Sequence, residues 1–392
     1  MTESVIVSAA RTPVGSFQGA LAPLPAPKLG AIAIKAALER AGIKPEMVNE
    51  VLMGCVLTGG MGQAPARQAS VFAGLPWSVG ATTIGKVCGS GLKAVMFADA
   101  MIRSGDAEII VAGGMESMSN TPYFLPGARQ GYRMGDQKVV DMMIFDGLWD
   151  VYKNCHMGAC ADLLGAEGKI SRQDQDEFCL RSYKRALKAT ADGKFKDEIV
   201  PVEIEDKKGK VVVAEDEEPK KLKEEKVPTL KPAFTKDGTV TAANASSLND
   251  GAAAMVVMSD KKAQELGIKP LARIIGHDQA ARESHWFTLA PVDAIKKVLA
   301  KTKYSIDKID IFEINEAFSV QVVAAIREFK LDPEKVNVNG GSVAIGHPIG
   351  CSGARILTTL LYAMKNRKAK TGLAVLCIGG GEAAAMIVEN CG

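Results

Sequence analysis

Short apolar runs separated by amphipathic segments make up the first part of the chain and predict an α/β fold. Largely apolar stretches at residues 5–7, 50–54 and 107–112 predict buried strands, and the last of these ends at Gly113-Gly114. Residues 92–103 carry their apolar side chains at helical spacing. The pattern therefore predicts strands that alternate with helices.

The C-terminal part of the chain repeats this order of elements. Predicted strands at residues 309–314 and 372–376 flank a predicted helix that begins at Ser352. When Ser90-Gly91 is aligned with Ser352-Gly353, the sequence AGGME at residues 112–116 falls near IGGGE at residues 378–382. Such a weak internal repeat is typical of two fused α/β units.

Residues 120–245 differ in composition and predict an inserted, partly helical loop domain over an active-site face. They hold few long apolar runs and include a charge-dense stretch from Glu215 to Lys226. Two interpretations of this stretch stay open: a solvated surface, or a positive patch for an anionic ligand such as a nucleotide diphosphate. The lysines concerned are Lys220, Lys221, Lys223 and Lys226.

Composition narrows the classes of function. With 392 residues, 47% hydrophobic and 24% charged, the chain is long enough for two or three domains with large cores. The net charge is only +3 and no basic stripe is interleaved with aromatic residues, so we expect no nucleic-acid partner. The N-terminus lacks the features of a signal peptide, and we expect no membrane association. Eight scattered cysteines without a paired CxxC spacing predict reduced thiols in the cytoplasm.

Three reactive residues set among glycines are the candidates for chemistry. Cys88 lies in VCGSG, His347 in GHP, and Cys377 directly before IGGG. Glycine-rich turns let backbone N–H groups approach a reacting atom, so the three residues predict acyl chemistry on a thiolate if the fold brings them together.

The local context of each candidate suggests a role and leaves an alternative. Cys88 precedes a helix that starts near Gly89, where the helix dipole favours a thiolate over a buried structural thiol. His347 is predicted on a loop between a strand and a helix, although it can also be a core histidine. The glycines after Cys377 can bind an oxyanion or a phosphate. Asn315 follows a strand and is either a ligand-facing amide or a helix N-cap.

The glycine runs do not predict a redox enzyme. No GxGxxG follows the first strand with an acidic residue about 20 positions later, which excludes the common dinucleotide-binding pattern. We therefore expect no redox cofactor.

These residues, in this order, resemble the thiolases, and in particular the short-chain acetyl-CoA acetyltransferase branch also called acetoacetyl-CoA thiolases. The resemblance covers essentially the whole chain. The matching motifs are SAARTP (8–13), GQAPARQ (62–68), KVC (86–88), GGMESMS (113–119), NAS (244–246), NDGA (249–252), NEAF (315–318), GHPIG (346–350) and Cys377.

The resemblance implies a duplicated fold. It consists of two βαβαβαββ halves in a five-layer arrangement, with a loop domain inserted in the first half. The expected bounds are 1–118 for the N-terminal half, completed by about 249–268, then 119–248 for the CoA-binding loop domain and 269–392 for the C-terminal half. Such enzymes assemble as homodimers or homotetramers, which is also expected here.

The resemblance also implies a reaction, the condensation of two acetyl-CoA into acetoacetyl-CoA and CoA and its reversal by thiolysis. His347 activates Cys88, which carries the acetyl group, and Cys377 moves the α-proton. One oxyanion site uses His347 and a water held by Asn315. The other uses the backbone N–H groups of Cys88 and Gly379.

By the same resemblance, a second set of residues contacts coenzyme A. They are Leu148, His156, Met157, Lys221, Leu222, Lys223, Lys226, Phe234, Ser246 and Phe318. His156-Met157-Gly158 resembles the motif that narrows the acyl site in short-chain members. The mitochondrial branch also binds K⁺, at positions that match Tyr183, Ala242, Ala243, Ala245 and Val343 here.

Three positions depart from the family pattern. Gly85 replaces an asparagine before the nucleophile, which removes a polar anchor. Glu382 follows the glycines where a neutral residue is usual; we expect it to point to solvent, whereas a buried carboxylate there would raise the pKa of Cys377. Cys351 beside the histidine loop suggests oxidative pairing with Cys88.

Three alternatives come from the same residues. A longer-chain 3-ketoacyl-CoA thiolase is the runner-up. A carrier-protein condensing enzyme would have a histidine at Cys377, and a catalytically inactive CoA-binding protein would lack the intact Cys88, His347 and Cys377.

Overall fold

The computed structural model describes residues 2–206 and 209–392. Its strands are β1 (Ser4–Arg11), β2 (Gly15–Ser16), β3 (Glu50–Gly54), β4 (Gly80–Ile84), β5 (Ile109–Ser117), β6 (Tyr123–Phe124), β7 (Val140–Asp141), β8 (Trp149–Asp150), β9 (Cys155–His156), β10 (Val202–Asp206), β11 (Gly209–Val213), β12 (Asn249–Ser259), β13 (Ala272–Ala281), β14 (Ile311–Ile314), β15 (Thr371–Ile378) and β16 (Glu382–Asn390). Its α-helices are α1 (Ala26–Ala41), α2 (Pro65–Phe72), α3 (Ser90–Ser104), α4 (Met157–Glu167), α5 (Arg172–Ala191), α6 (Asp260–Glu265), α7 (Ala290–Thr302), α8 (Ser319–Phe329), α9 (Ser342–Ile345) and α10 (Ile349–Arg367).

The main sheet consists of two halves that mirror each other. Its strand order is β4-β3-β5-β12-β1-β13-β16-β15-β14. The halves meet at β1 and β13, which pair only through Val5 with Arg273 and Ile6 with Ala272. Outward from this junction the first half runs β1-β12-β5-β3 and the second runs β13-β16-β15-β14. The predicted duplicated α/β fold is confirmed.

Helices cover both faces of each half of the sheet. The apolar side chains of α3 and α10 fill the space between the two halves, in a core that includes Leu92 and Leu357. Helices α1 and α2 pack on the outer face of the first half, and α7 and α8 on that of the second. The result is the expected sequence of five layers, in which strands covered on both faces are apolar along their whole length.

The predicted end of the third strand was wrong. Strand β5 continues through Gly113 and Gly114 to Ser117 instead of stopping at the glycines. A Cβ on Gly113 would lie 2.2 Å from the carbonyl oxygen of Ala253, and one on Gly114 would lie 2.1 Å from that of Gly350. These glycines therefore allow two backbones to approach closely and do not mark a turn.

The two central helices also cross at glycines. A Cβ on Gly91 of α3 would lie 2.7 Å from the backbone nitrogen of Ala354, and one on Gly353 of α10 would lie 2.3 Å from that of Leu92. Because Gly91 and Gly353 are equivalent in the internal repeat, the helices meet at the centre of the duplication.

Gly353→Ala should destabilise the fold. The added methyl group meets backbone, which moves less readily than a side chain, so we expect the free energy of unfolding to fall by about 1–3 kcal/mol. Gly85→Ala is the matched control, because nothing lies within 4 Å of a Cβ there. Chemical denaturation of both variants measures the effect. Equal stability of the two variants would contradict this packing.

The insertion between β5 and β12 is fastened to the core by buried charges. The Arg11 guanidinium donates to Glu198 Oε1 at 2.6 Å and to Asp216 Oδ1 at 2.7 Å, and all three side chains are almost completely buried. Asp216 lies in the charge-dense stretch, so this carboxylate is structural, whereas the neighbouring Glu215 is exposed. In the part of the chain that the structure describes, no helix is long and apolar enough to cross a membrane.

Candidate active site

A cavity of about 420 Å³ opens where the two halves and the insertion meet. Cys88, His347 and Gly379 lie along one part of its wall. Of the other predicted residues, the cavity is lined by Leu148, His156, Met157, Phe234, Ala242, Ala245, Ser246 and Phe318. Residues 250 or more positions apart in sequence thus face one space.

Cys88 lies on a strained turn between β4 and α3. Val87 has a φ of 42°, in the left-handed region that a β-branched residue rarely adopts. The Ser90 hydroxyl oxygen accepts from the N–H of Lys86 at 2.8 Å and donates to the carbonyl of Val87 at 2.7 Å, which holds the turn. The strain is concentrated next to the candidate nucleophile, as is common at functional sites.

Burial opposes ionisation of Cys88 more strongly than the turn favours it. Desolvation raises the pKa of its thiol to about 11, while the backbone N–H groups of Gly379 and of Cys88 itself lower it. The thiol is therefore neutral at rest, contrary to the expectation of a ready thiolate at the helix N-terminus. The two N–H groups that face the sulfur are those predicted for an oxyanion site.

His347 lies between helices α9 and α10, so the strand predicted before it was wrong. Its Nδ1 is 2.6 Å from the Ser352 hydroxyl oxygen, and that hydroxyl donates to the carbonyl of Pro348 at 2.9 Å. With the serine proton directed at Pro348, Nδ1–H donates to Ser352 and the lone pair is on Nε2. This buried Nε2 has no hydrogen-bond partner among the described residues. It is available as a base.

The imidazole of His347 stays neutral. Burial, and to a lesser degree the charge of Arg355, lower its pKa to about 3. The folded protein therefore binds fewer protons than the unfolded chain between about pH 3 and pH 6.5.

This depressed pKa predicts a pH-dependent loss of stability. The contribution of a neutral His347 is present above about pH 6.5 and is lost as the pH falls, at up to about 1.4 kcal/mol per pH unit. Between pH 7 and pH 5 the wild type should lose about 2 kcal/mol more of its free energy of unfolding than His347→Asn. Denaturant titrations at both pH values test this. Parallel losses in the two proteins would show that His347 is not held neutral.

Asn315 is oriented by a chain of polar side chains. Its Oδ1 accepts from the Ser342 hydroxyl at 2.6 Å, and Ser342 in turn accepts from Arg355 at 2.7 Å. The buried Nδ2 then has no partner among the described residues. Helix α8 begins at Ser319, so Asn315 does not cap it. The amide is free to hold a ligand or a water.

Cys377 ends strand β15 behind the cavity wall and is completely buried. Burial raises the pKa of its thiol above the usual range, the nearby Cys88 sulfur adds to this, and the Gln321 side chain lowers it. Gln321 also donates from Nε2 to the carbonyl of Asn315 at 2.6 Å. Gln321 thus connects two candidate catalytic residues.

Aromatic rings form one end of the cavity. The ring of His156 stacks on Phe234 with centroids 4.7 Å apart, and Phe234 meets Phe318 edge-on at 6.0 Å. A Cβ on Gly158 would lie 2.2 Å from the Phe234 ring, so this glycine allows the stack to form. The rings shorten the space available to an acyl chain.

Two known protein families match nearly the whole chain. Residues 4–261 match the thiolase N-terminal domain and residues 268–390 match the thiolase C-terminal domain. The chain belongs to the thiolase family.

An acetyl-CoA acetyltransferase of Cupriavidus necator is 57% identical over 392 residues, with 100% of both chains covered. One from Gibberella zeae, described as cytosolic, is 51% identical over 387 residues, 98% of each. The crystal structure of a thiolase from Ascaris suum in complex with coenzyme A matches with a TM-score of 0.95 and 42% identity, covering 99% of this chain and 100% of that one.

The lysines predicted for coenzyme A lie outside the cavity of this thiolase. Lys221, Lys223 and Lys226 are exposed on the insertion. The ammonium group of Lys221 contacts the Ser16 hydroxyl and lies 3.2 Å from Glu218. These lysines lie on the surface, which a long ligand would reach from the cavity.

The departures from the thiolase pattern have structural consequences. Glu382 forms an ion pair with Lys86, two residues before the nucleophile, and is not among the groups that raise the pKa of Cys377. This pair bridges the Cys88 turn and the glycine turn. Cys88 and Cys351 are both buried free thiols in the structure, so their pairing stays a prediction.

Two of the positions predicted for K⁺, Tyr183 and Val343, lie near one buried carboxylate of this thiolase, whereas Ala242 and Ala245 line the cavity. Glu316 Oε2 accepts from the N–H of Val343 at 3.0 Å and from Ser182, the neighbour of Tyr183. The carbonyl of Ala243 accepts from the Cys179 thiol at 3.0 Å. Carbonyl and phenol oxygens beside a buried carboxylate are chemically suited to a large monovalent cation.

Sequence reasoning missed the residues that orient the thiolase site. Ser352, Ser342 and Gln321 each bond to a candidate catalytic residue. Asn249 also holds the backbone of His347 at 2.8 Å. Ser342 lies in an apolar run and Gln321 in a helix, so no local pattern marks either one. Asn249 stood within a matched motif, which was a usable signal.

Proposed function

We propose that this chain is an acetyl-CoA acetyltransferase, which condenses two acetyl-CoA into acetoacetyl-CoA and CoA and runs the reverse thiolysis. The observation that carries this proposal is the cavity that Cys88, His347 and Gly379 line together, with Nε2 of His347 unbonded among the described residues. The full-length relatives named acetyl-CoA acetyltransferase support the choice of substrate.

The first step is transfer of the acetyl group to Cys88. The thiol and the imidazole are both neutral at rest, since their pKa values of about 11 and about 3 lie on either side of neutrality. Nε2 of His347 takes the thiol proton as the sulfur attacks the acetyl carbonyl, and CoA leaves with that proton. The N–H groups of Cys88 and Gly379 stabilise the oxyanion.

The second step forms the carbon–carbon bond. His347 first takes the thiol proton of Cys377, and the Cys377 thiolate then removes a methyl proton from a second acetyl-CoA. The enolate attacks the acetyl-Cys88 thioester, and the departing Cys88 thiolate takes the proton back from His347. His347 and a water held by the Asn315 Nδ2 stabilise the enolate oxygen. In thiolysis Cys377 returns the proton as an acid. The raised pKa of its thiol suits a group that must hold a proton between these events.

Other parts of the molecule have proposed supporting roles. Residues 119–248 act as the CoA-binding insertion. The N-terminal half consists of residues 1–118 and about 249–268, and the C-terminal half consists of residues 269–392. At the outer end of the insertion lie Lys221, Leu222, Lys223 and Lys226. K⁺ would be held by carbonyl groups of Ala242, Ala243, Ala245 and Val343 with the hydroxyl of Tyr183, and it would stiffen the wall of the acyl site. A homodimer or homotetramer in the cytoplasm is proposed, in line with the relative described as cytosolic.

The substrate range is the direct test of this proposal. The stacked rings and Met157 leave a short acyl space, so thiolysis of acetoacetyl-CoA should exceed that of a 3-ketoacyl-CoA of eight or more carbons by at least about tenfold in kcat/KM. Assays of CoA-dependent cleavage with both substrates, with and without K⁺, measure this. A preference for the longer substrate would favour a longer-chain degradative thiolase.

A further inference from the structure

We propose that Cys155 and Cys160 form an oxidation-sensitive dithiol whose disulfide changes the shape of the CoA pocket. Their sulfur atoms lie 3.7 Å apart in the structure. Cys155 begins strand β9 of the short β8–β9 hairpin, and Cys160 lies in the first turn of α4. Neither sulfur has a place in the proposed reaction, so this site is additional to the catalytic cysteines.

The dithiol encloses two residues that line the pocket. His156 and Met157 stand between the cysteines in sequence, and both face the cavity. His156 caps α4, because its Nδ1 accepts from the N–H of Gly158 at 3.0 Å, and its ring stacks on Phe234. Any movement of Cys155 towards α4 therefore moves the residues that narrow the acyl site.

The two thiols have different chemical roles. Cys155 is half-buried and can be reached by a small oxidant, whereas Cys160 is buried. Burial, contact with Cys155 and the nearby Asp150 carboxylate raise the pKa of Cys160 to about 12. Cys155 is thus the thiol that is oxidised first, and Cys160 is the thiol that resolves it.

The oxidant is a hydroperoxide, and the reaction balances as follows. The Cys155 sulfur attacks one peroxide oxygen, the O–O bond breaks, and one water leaves, which gives a sulfenic acid. The Cys160 sulfur then attacks the Cys155 sulfur, the S–O bond breaks, and the hydroxyl leaves as a second water with the Cys160 proton. Two thiols are oxidised by two electrons, and one hydrogen peroxide is reduced to two waters.

The bridge requires a local movement. A disulfide bond is about 2.05 Å long, so the sulfurs must close by well over 1 Å. Closure draws the end of β9 onto α4 and displaces the His156 ring from Phe234. Loss of an aromatic contact that shapes the pocket should raise KM for acetyl-CoA by about 3- to 10-fold and leave kcat nearly unchanged.

Mass spectrometry tests the chemistry independently of the proposed function. Trypsin releases residues 154–169 as one peptide that contains Cys155 and Cys160 and no other cysteine. After treatment with hydrogen peroxide this peptide should be lighter by two hydrogens and resist iodoacetamide until dithiothreitol is added. In Cys160→Ala the Cys155 sulfenic acid should instead react with dimedone. If both thiols of this peptide can still be alkylated after other cysteines of the protein have been oxidised, the proposal is overturned.

Kinetics test the effect on the pocket, and this part rests on the proposed function. Oxidation of Cys88 lowers kcat, whereas the proposed disulfide raises KM, so the two events are separable. Wild type and Cys391→Ser, whose cysteine is exposed and remote from the cavity, should show the KM rise and its reversal by dithiothreitol. Cys155→Ser should not. A disulfide without a KM change, or an equal change in Cys155→Ser, would overturn the link to the pocket.

Discussion

Replacing Cys88 with serine should lower both condensation and thiolysis by about 10⁴-fold or more. The Cys88 thiol is buried, with a pKa of about 11, and gives its proton to a neutral histidine only as it attacks. A serine hydroxyl is far harder to deprotonate than a thiol, and the ester that it would form is a poorer acyl donor than a thioester. Release of CoA from acetyl-CoA, followed continuously with a thiol reagent, measures the loss.

The cavity itself should survive this change. Serine is slightly smaller than cysteine, and the turn is held by Ser90 and backbone groups rather than by the sulfur. Cys88→Ser should therefore keep its affinity for CoA and its unfolding temperature, and Cys391→Ser should keep full activity. Activity of Cys88→Ser within about tenfold of wild type would remove Cys88 from the mechanism.

Cys377→Ser should separate the two half-reactions. Removal of the α-proton requires a base at this position, so condensation and thiolysis should fall by about 10²- to 10⁴-fold. Transfer of the acetyl group to Cys88 requires only His347 and the two backbone N–H groups. Exchange of labelled CoA into acetyl-CoA should therefore continue at a rate close to that of the wild type.

The control for this prediction is another completely buried cysteine beside the site. Cys351 lies in α10 next to the histidine loop, and Cys351→Ala should retain both half-reactions. If Cys377→Ser loses exchange together with condensation, Cys377 supports the structure of the site rather than the proton transfer. Loss of neither reaction would point to a different base.

The sequence could predict the residues that react but not those that orient them. Cys88, His347 and Cys377 stand out because reactive side chains among glycines are rare. The fold places Cys88 and His347 on the wall of one cavity, and Cys377 is buried behind that wall. Ser352 and Gln321 act through single hydrogen bonds across elements that are distant in sequence. No local periodicity encodes such contacts, since the same residue types occur on any helix.

The positions of strands and helices could be predicted from the pattern of apolar residues that become buried, but the ends of these elements could not. Strand β3 matches the predicted residues, because its apolar side chains are also its buried ones. Strand β5 was cut short because glycine usually interrupts a strand, whereas here Gly113 and Gly114 are required by tertiary contacts with Ala253 and Gly350. The predicted thiolate character of Cys88 failed for a similar reason, since desolvation by the surrounding fold outweighs a favourable helix end.

The mirrored halves of the sheet bear on how the molecule originated. An ancestral pair of identical halves would have carried two identical catalytic centres, one in each half. In the internal repeat Gly350 takes the position of Cys88, and the segment AGGME at residues 112–116, which falls near IGGGE, contains no cysteine. Glu116, the counterpart of Glu382, accepts from the N–H of Gly350 at 2.8 Å and fills the equivalent space. A duplication that began with two equal centres would thus have kept only the one at Cys88, because Glu116 is bonded to backbone at the other.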